Sequence, residues 1–444
     1  MNSRLCAAGL ATLLAVAGAP GARAATIVVD STSDDTDDST LCTLRDAVAA
    51  ATTDAAVDGC AAGSGADVIE LPTGTFDVRA QVLFVATEVT IRGTDARTTI
   101  LSPVGGNALL SVGAAGNVTL EHLTLRNAQT AALEVNGQLR ASDCVFDSNP
   151  EGATVVRESG DATFDRCTFR DNGNTAGDGG GAAFLFGSAT FRSCAFVDNT
   201  VAGSGGALLL RSGAEVVVEG SYFARNRATT GAAINFIQPG GSLQVSNSTF
   251  FRNLAIGAVS AIRLQNTNGV STIDHSTFVE NVSGGNGTVI SEGGAMVTLT
   301  NSVFARNAFF DCGGPITGWN NVTEGDCSVM GANNQTTVDP GVGLPGSNGA
   351  LGTTIPLIPG SPAIGASDCL DAIGALVTVD GAGRPRPAST CSAGAFEVGN
   401  ATVLVATDPE PPGVNCPSGG YAIRSGVDDD GNGQLAESEV DSID

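Results

Sequence analysis

The stretch CAFVDNTVAGSGGALLLRSG, residues 194–213, decides the fold, because its phrases return along the chain at a near-constant interval. Aligned on its phenylalanine, the sequence gives CVFDSN, CTFRDN, CAFVDN, SYFARN, STFFRN, STFVEN and SVFARN, anchored at Phe146, Phe169, Phe196, Phe223, Phe250, Phe278 and Phe304. The anchors are 23, 27, 27, 27, 28 and 26 residues apart. A period of that size signals a stacked array in which no single unit buries its apolar face alone. A weaker unit upstream places Leu125 in the same column.

The pattern inside each unit selects the kind of array. Val118, Leu120, Leu123 and Leu125 correspond to Ala162, Phe164, Cys167 and Phe169, then to Ala189, Phe191, Cys194 and Phe196, and finally to Val297, Leu299, Ser302 and Phe304. Inward residues alternate, skip one beat and alternate again, which describes a short strand, a bend and a second short strand. A third inward pair lies upstream, in Leu208/Leu210, Ile234/Phe236 and Ile262/Leu264, usually after GGA or GA. Three short strands per turn predict an all-β chain, a single-stranded right-handed parallel β-helix. Leucine-rich repeats are the rival, and their asparagine and leucine spacing is absent. Coils stack about 4.8 Å apart, so a sequence column becomes a ladder. Asn149, Asn172, Asn199, Asn226, Asn253, Asn281 and Asn307 form one, each three residues after its phenylalanine. Their amides are expected to bond the backbone and one another.

These phrases carry a resemblance. The repeated FxxN and GGA elements are similar to those of chlamydial-type polymorphic outer membrane proteins, within the broad pectin-lyase-like β-helix class. LCTLRDAVAAA, followed by Cys60 and GADVIEL, resembles the CSLREA segment of secreted bacterial proteins. IPLIPGSPAIG, DGAGRPRP and CSAGAFE resemble a choice-of-anchor region, with Gly365 where an Asp is usual after PAI. Together these cover most of residues 40–398. The polymorphic family implies adhesion and normally adds a membrane β-barrel, which has no counterpart here.

Arg4, an apolar run and Ala22-Arg23-Ala24 have the order of a secretory signal peptide over residues 1–24, cut before Ala25 and taking Cys6 with it. No later stretch reaches the roughly 18 apolar residues of a membrane helix, so no membrane span is expected. The formal charge is −25, or −27 after the two positive charges of Arg4 and Arg23 leave, and lysine is absent. That balance argues against nucleic acid as a partner and excludes phosphate-loop and Schiff-base lysines. The expected organisation is an N-terminal cap with the first coils over 25–105, the repeat helix over 106–310, C-terminal coils and cap over 311–400, a linker over 401–415 and a tail over 416–444. Thr43 followed by Asp46 reads as a capping-box-like start for a short helix, LRDAVAAA, that plugs the first coil.

Ten cysteines remain after cleavage in an oxidising compartment. Cys42 with Cys60, Cys312 with Cys327 and Cys369 with Cys391 are expected disulfides, whereas Cys144, Cys167 and Cys194 share an inward column and read as buried free thiols. Cys416 has no evident partner. The two histidines, His122 and His275, both fall at the bend before the second strand, six coils and roughly 29 Å apart, and read as surface turn residues. A histidine-pair metal centre or a Ser-His-Asp triad is therefore not expected. Asp171 and Asp198 sit one coil apart, a spacing open to a retaining glycosidase pair, to calcium binding or to an alternating charge ladder with Arg225 screening Asp198.

One motif points to a cofactor. DDDGNGQLAESE, residues 428–439, matches the twelve-residue calcium loop: Asp428, Asp430 and Asn432 as oxygen ligands, Gly433 at the turn, Gln434 through its carbonyl and Glu439 closing the shell around Ca2+. No flanking helices are evident. The leading reading is a monomeric, secreted or cell-surface β-helix without catalytic residues that binds polysaccharide or another surface ligand. A polysaccharide lyase or glycoside hydrolase and a structural stalk are the alternatives. Beyond phenylalanine, only Trp319, Tyr222 and Tyr421 could face a sugar.

Overall fold

A computed structural model of the chain describes residues 24–34, 40–79, 81–106, 108–174, 179–211, 213–265, 268–337, 339–349, 352–398, 403–412, 418–427, 435 and 440–443. The repeat forms a parallel β-helix. Its upstream strands, such as Leu208–Leu210, and its middle strands, such as Glu215–Glu219, belong to one 22-stranded sheet, and the strands bearing the anchor phenylalanines form a 12-stranded sheet. Every sequence column is a physical column: Phe146, Phe169, Phe196, Phe223, Phe250, Phe278 and Phe304 are register partners in succession. Their rings stack with centroids 4.4 to 5.0 Å apart. All seven are fully buried, and Phe164 and Phe191 pack edge-on against the stack in the coils of Phe169 and Phe196.

The asparagine ladder sits at the next corner. Asn199 Nδ2 donates to the Phe169 carbonyl of the coil below (3.0 Å) and to Asn226 Oδ1 of the coil above (2.9 Å). Its own Oδ1 accepts from Asn172 N and Nδ2. The ladder thus satisfies backbone groups at a corner where the sheets break, which is why a buried amide is kept there.

Two corners per coil need a single left-handed residue. At the bend before the phenylalanine strand stand His122, Asp143, Arg166, Ser193, Asn247, His275, Asn301, Asn320 and Asn333, with φ between 41° and 58°. Short polar residues dominate this column because they adopt that conformation at least cost.

Cys144, Cys167 and Cys194 are free and buried, and the three expected disulfides are present. Burial pushes the Cys167 thiol well above its ordinary value. Serines continue the column, where Ser221 Oγ accepts from Cys194 N and Ser248 Oγ from Ser221 N. The first coil is covered by a helix, Leu44–Thr53, whose N-cap Thr43 accepts from Asp46 N at 3.2 Å. Its buried side, Leu44, Ala47, Val48, Ala50 and Ala51, faces the strands Thr26–Val28 and Asp67–Leu71.

The region 311–400 divides in two. Coils continue to the short strand Gln335–Thr336, after which residues 339–349 and 352–398 run back along the side of the helix as a wrap with, among the described residues, only isolated bridges of its own. Val342, Ile355, Leu357 and Phe396 of the wrap cover the outward side chains Ala224, Phe251, Val279, Ala305 and Val322. The tail is a three-stranded antiparallel sheet of Val403–Glu410, Gly420–Val427 and Val440–Ile443. Most of the expected linker is thus a strand, for alternating β-branched residues from Val403 outweigh Pro409, which a strand edge tolerates. Residues 1–23 of the expected signal peptide, Cys416 and the expected calcium ligands Asp428, Asp430, Asn432, Gln434 and Glu439 lie outside the described residues.

Candidate functional site

The wrap docks on three successive bends. Asn247 Nδ2 donates to the Val379 carbonyl (3.1 Å) while its Oδ1 accepts from the buried Arg386 (3.1 Å), and Asn301 Nδ2 donates to the Leu370 carbonyl (2.7 Å). His275, between them, places Nδ1 2.8 Å from Asp274 Oδ1 and Nε2 2.9 Å from Ser367 Oγ. It is fully buried. The expectation of a surface histidine holds for His122, which is exposed, and fails for His275. The reason is the covering wrap, and its signal was legible: the outward residue after each anchor phenylalanine is Asp147, Arg170 and Val197 in early coils but Ala224, Phe251, Val279 and Ala305 in later ones.

Ser367, His275 and Asp274 form the line of hydrogen bonds that the distance between the two histidines had argued against. Such a line needs one histidine, so the distance from His275 to His122 does not bear on it. Ser367 Oγ also accepts from Cys369 N (3.3 Å), and Cys369 is bridged to Cys391. The line therefore clamps the wrap to the helix.

Burial, followed by the Arg386 charge, pushes His275 down to about 3. Burial and the neighbouring Asp371 charge push Asp274 up to about 7. Considered alone, the lowered histidine removes stability as pH falls from its unfolded value near 6.5. The raised carboxyl removes stability as pH rises from about 4 through 7. Between those limits the two effects cancel, since the pair carries one proton in the fold, on Asp274, and one when unfolded, on His275.

A cleft opens on each side of this clamp. Asp274 lines the first, of about 240 Å3, together with Glu219, Gln244 and Thr272 of the helix and Asp371 and Ile373 of the wrap. Asp371 is held by its own tight turn, its Oδ1 accepting from Ile373 N and Ala375 N. Ser367 lines the second, of about 320 Å3, together with Trp319, Asn320, Asn333, Asp368 and Ser389. Trp319 is half-buried, whereas Tyr222 packs against the wrap and Tyr421 is exposed on the tail.

Asp171 and Asp198 belong to a second left-handed column, with φ of 53° and 57°. Arg225 holds Asp198 through two hydrogen bonds of 2.8 and 2.7 Å, and Arg252 and Arg306 both pair with Glu280. This is the charge ladder. Among the described residues no group of three or more His, Cys, Asp or Glu side chains is placed to hold a metal.

The family described as "Right handed beta helix region" matches residues 107–253 and 155–335, which together span 107–335, more than half of the chain. The chain belongs to the right-handed β-helix family. A second family, "Domain of unknown function (DUF7151)", matches residues 403–444 of this β-helix protein. Among solved structures, pectate lyase Pel9A is similar at 14% identity, covering 84% of this chain and 96% of that one, with a TM-score of 0.45. The catalytic unit of a thermostable GH87 alpha-1,3-glucanase from Streptomyces thermodiastaticus strain HF3-3 is similar at 15% identity and a TM-score of 0.40, covering 66% of this chain. The β-helix protein spans 65% of that glucanase unit. No curated protein matches it.

Proposed function

We propose that this β-helix protein is exported and binds polysaccharide at the seam between helix and wrap. The observation that carries the reading is the second cleft, where Trp319 stands beside the amides of Asn320 and Asn333 and the hydroxyls of Ser367 and Ser389. An aromatic face takes the apolar side of a sugar ring, and the exposed Asn333 and Ser389 with the Asp368 carboxylate take its hydroxyl groups, Asn320 and Ser367 being already bonded within the seam. The lining of both clefts includes carboxylates and no cationic side chain, which disfavours polyuronates and favours neutral or amine-bearing sugars. A screen of neutral, amino and uronic-acid oligosaccharides, followed by calorimetry, tests this. Trp319→Ala is expected to weaken binding about tenfold or more, equivalent to about 1.4 kcal/mol, and a screen without neutral or amino-sugar hits overturns it.

A second reading, glycoside hydrolysis, is favoured by the pairing of Asp274 with Asp371 in the first cleft, where burial and then the Asp371 charge push the Asp274 carboxyl up to about 7, the direction a general acid requires. Turnover of neutral glucans that disappears in Asp274→Asn supports it. The leader sequence, the three disulfides and the absence of any helix long and apolar enough to cross a membrane among the described residues support export. We also propose that the 428–439 loop binds Ca2+, on the spacing of its oxygen donors. Calorimetry is expected to show one site that Asp428→Ala removes, and calcium binding unchanged by that substitution counts against it.

A further inference from the structure

Ala25 follows Ala22-Arg23-Ala24 directly, and its backbone nitrogen donates to Asp67 Oδ1 at 2.9 Å. Its carbonyl accepts from Val68 N at 2.9 Å, so residue 25 opens the strand Thr26–Val28 in parallel register with Asp67–Leu71. Asp67 is fully buried. Its Oδ1 also accepts from Ser64 N at 2.8 Å, while its Oδ2 is buried with no partner. Gly63 makes room for that oxygen, since a Cβ there would lie 2.4 Å from it. A buried carboxylate with an unused oxygen and no cation is costly to keep.

The nitrogen that touches this carboxylate is the one that leader removal would free. Hydrolysis of the Ala24–Ala25 bond by a signal peptidase adds the hydroxyl of water to the Ala24 carbonyl and its hydrogen to the Ala25 nitrogen. The new carboxyl ionises, and the amine takes up that proton. One neutral N–H becomes an ammonium with three N–H groups and a positive charge.

We propose that cleavage after Ala24 creates an α-ammonium that pairs with buried Asp67 and locks the first strand of the β-helix; this rests on the export reading above. Thr26–Val28 and Asp67–Leu71 are the strands over which the capping helix Leu44–Thr53 lies. Processing therefore completes the end that shields the open edge of the stack. The uncut precursor lacks this ion pair and is the less stable form.

The chain contains no lysine, so the exported protein has a single amine, and an amine-acylating reagent reads that group alone. The intact mass is expected to begin at Ala25. Native acylation is expected to be about tenfold or more slower than in guanidinium-unfolded protein, one unit of raised amine pKa accounting for each factor of ten. Asp67→Asn is expected to restore fast labelling. Should that variant not fold, adding Gly-Ser ahead of Ala25 keeps the test, because it buries a neutral amide in place of the ammonium and is expected to lower the melting temperature. A first residue other than Ala25 overturns the cleavage site. A correct first residue that labels as fast folded as unfolded, or an extension without effect on melting, overturns the ion pair and leaves export standing.

Discussion

Replacing Asn199 tests whether the asparagine ladder, and not the phenylalanine stack alone, holds successive coils together. Asn199 is fully buried in mid-ladder. In Asn199→Ala, Asn172 N loses the Oδ1 it donates to at 3.1 Å and the Phe169 carbonyl loses its amide donor at 3.0 Å. Asn172 Nδ2 retains the Phe146 carbonyl, and Asn226 Oδ1 retains Asn199 N. Asn172 N is thus stranded, at about 1–3 kcal/mol, while the Phe169 carbonyl keeps its ladder partner and loses only a second donor, so the expected cost is about 2 kcal/mol. Asn199→Asp is more informative. It sets a carboxylate oxygen where Nδ2 stood, facing two acceptors, so the folded state holds on to a proton there. A pKa raised in the fold gives stability present below the unfolded value of about 4 and lost as pH rises. The aspartate variant should therefore unfold at lower urea than the alanine variant at about pH 7.5 and recover at about pH 4. Urea titrations followed by far-UV circular dichroism measure both. An alanine variant within about 1 kcal/mol of wild type, or an aspartate variant insensitive to pH, refutes the assignment of coil cohesion to these amides.

The remaining predictions concern the wrap. Removing the Cys369–Cys391 bridge, which spans 22 residues, is expected to cost about 3 kcal/mol of wrap stability. Limited proteolysis should then cut within 339–398 before any coil. His275→Gln leaves Asp274 to titrate without its compensating partner, so, relative to the wild type, the variant is expected to lose stability as pH rises from about 4 to 7. The full loss is about 4 kcal/mol for a shift of three units, with Arg386 and Asp371 as the other charges setting it; thermal melts across that range check it.

The coils were legible because a β-helix writes its geometry into one-dimensional spacing. A column such as Phe196, Cys194, Asn199 and Asp198 carries one instruction per coil, respectively a stacked ring, a small slot, a corner amide and a left-handed turn. Each was readable from periodicity because each neighbour lies one period away. The wrap obeys no period. Its contacts pair residues far apart in sequence, such as His275 with Ser367 and Asn247 with Arg386, and it holds itself by turns, one disulfide and the buried Arg386–Glu397 ion pair. Its position was nevertheless half-written: the apolar switch at Ala224, Phe251 and Val279 marks the coils that something must cover. The candidate site lies where these two kinds of order meet. The helix supplies Trp319 and Asp274 at periodic positions, the wrap supplies Ser367 and Asp371 at aperiodic ones, and both seam clefts are lined by the two together. The carboxylates that the columns themselves bring one coil apart, Asp171 and Asp198, belong to the repeat's own charge ladder. In a stacked fold a repeated residue serves the stack, and the residues that break the pattern are the ones to test.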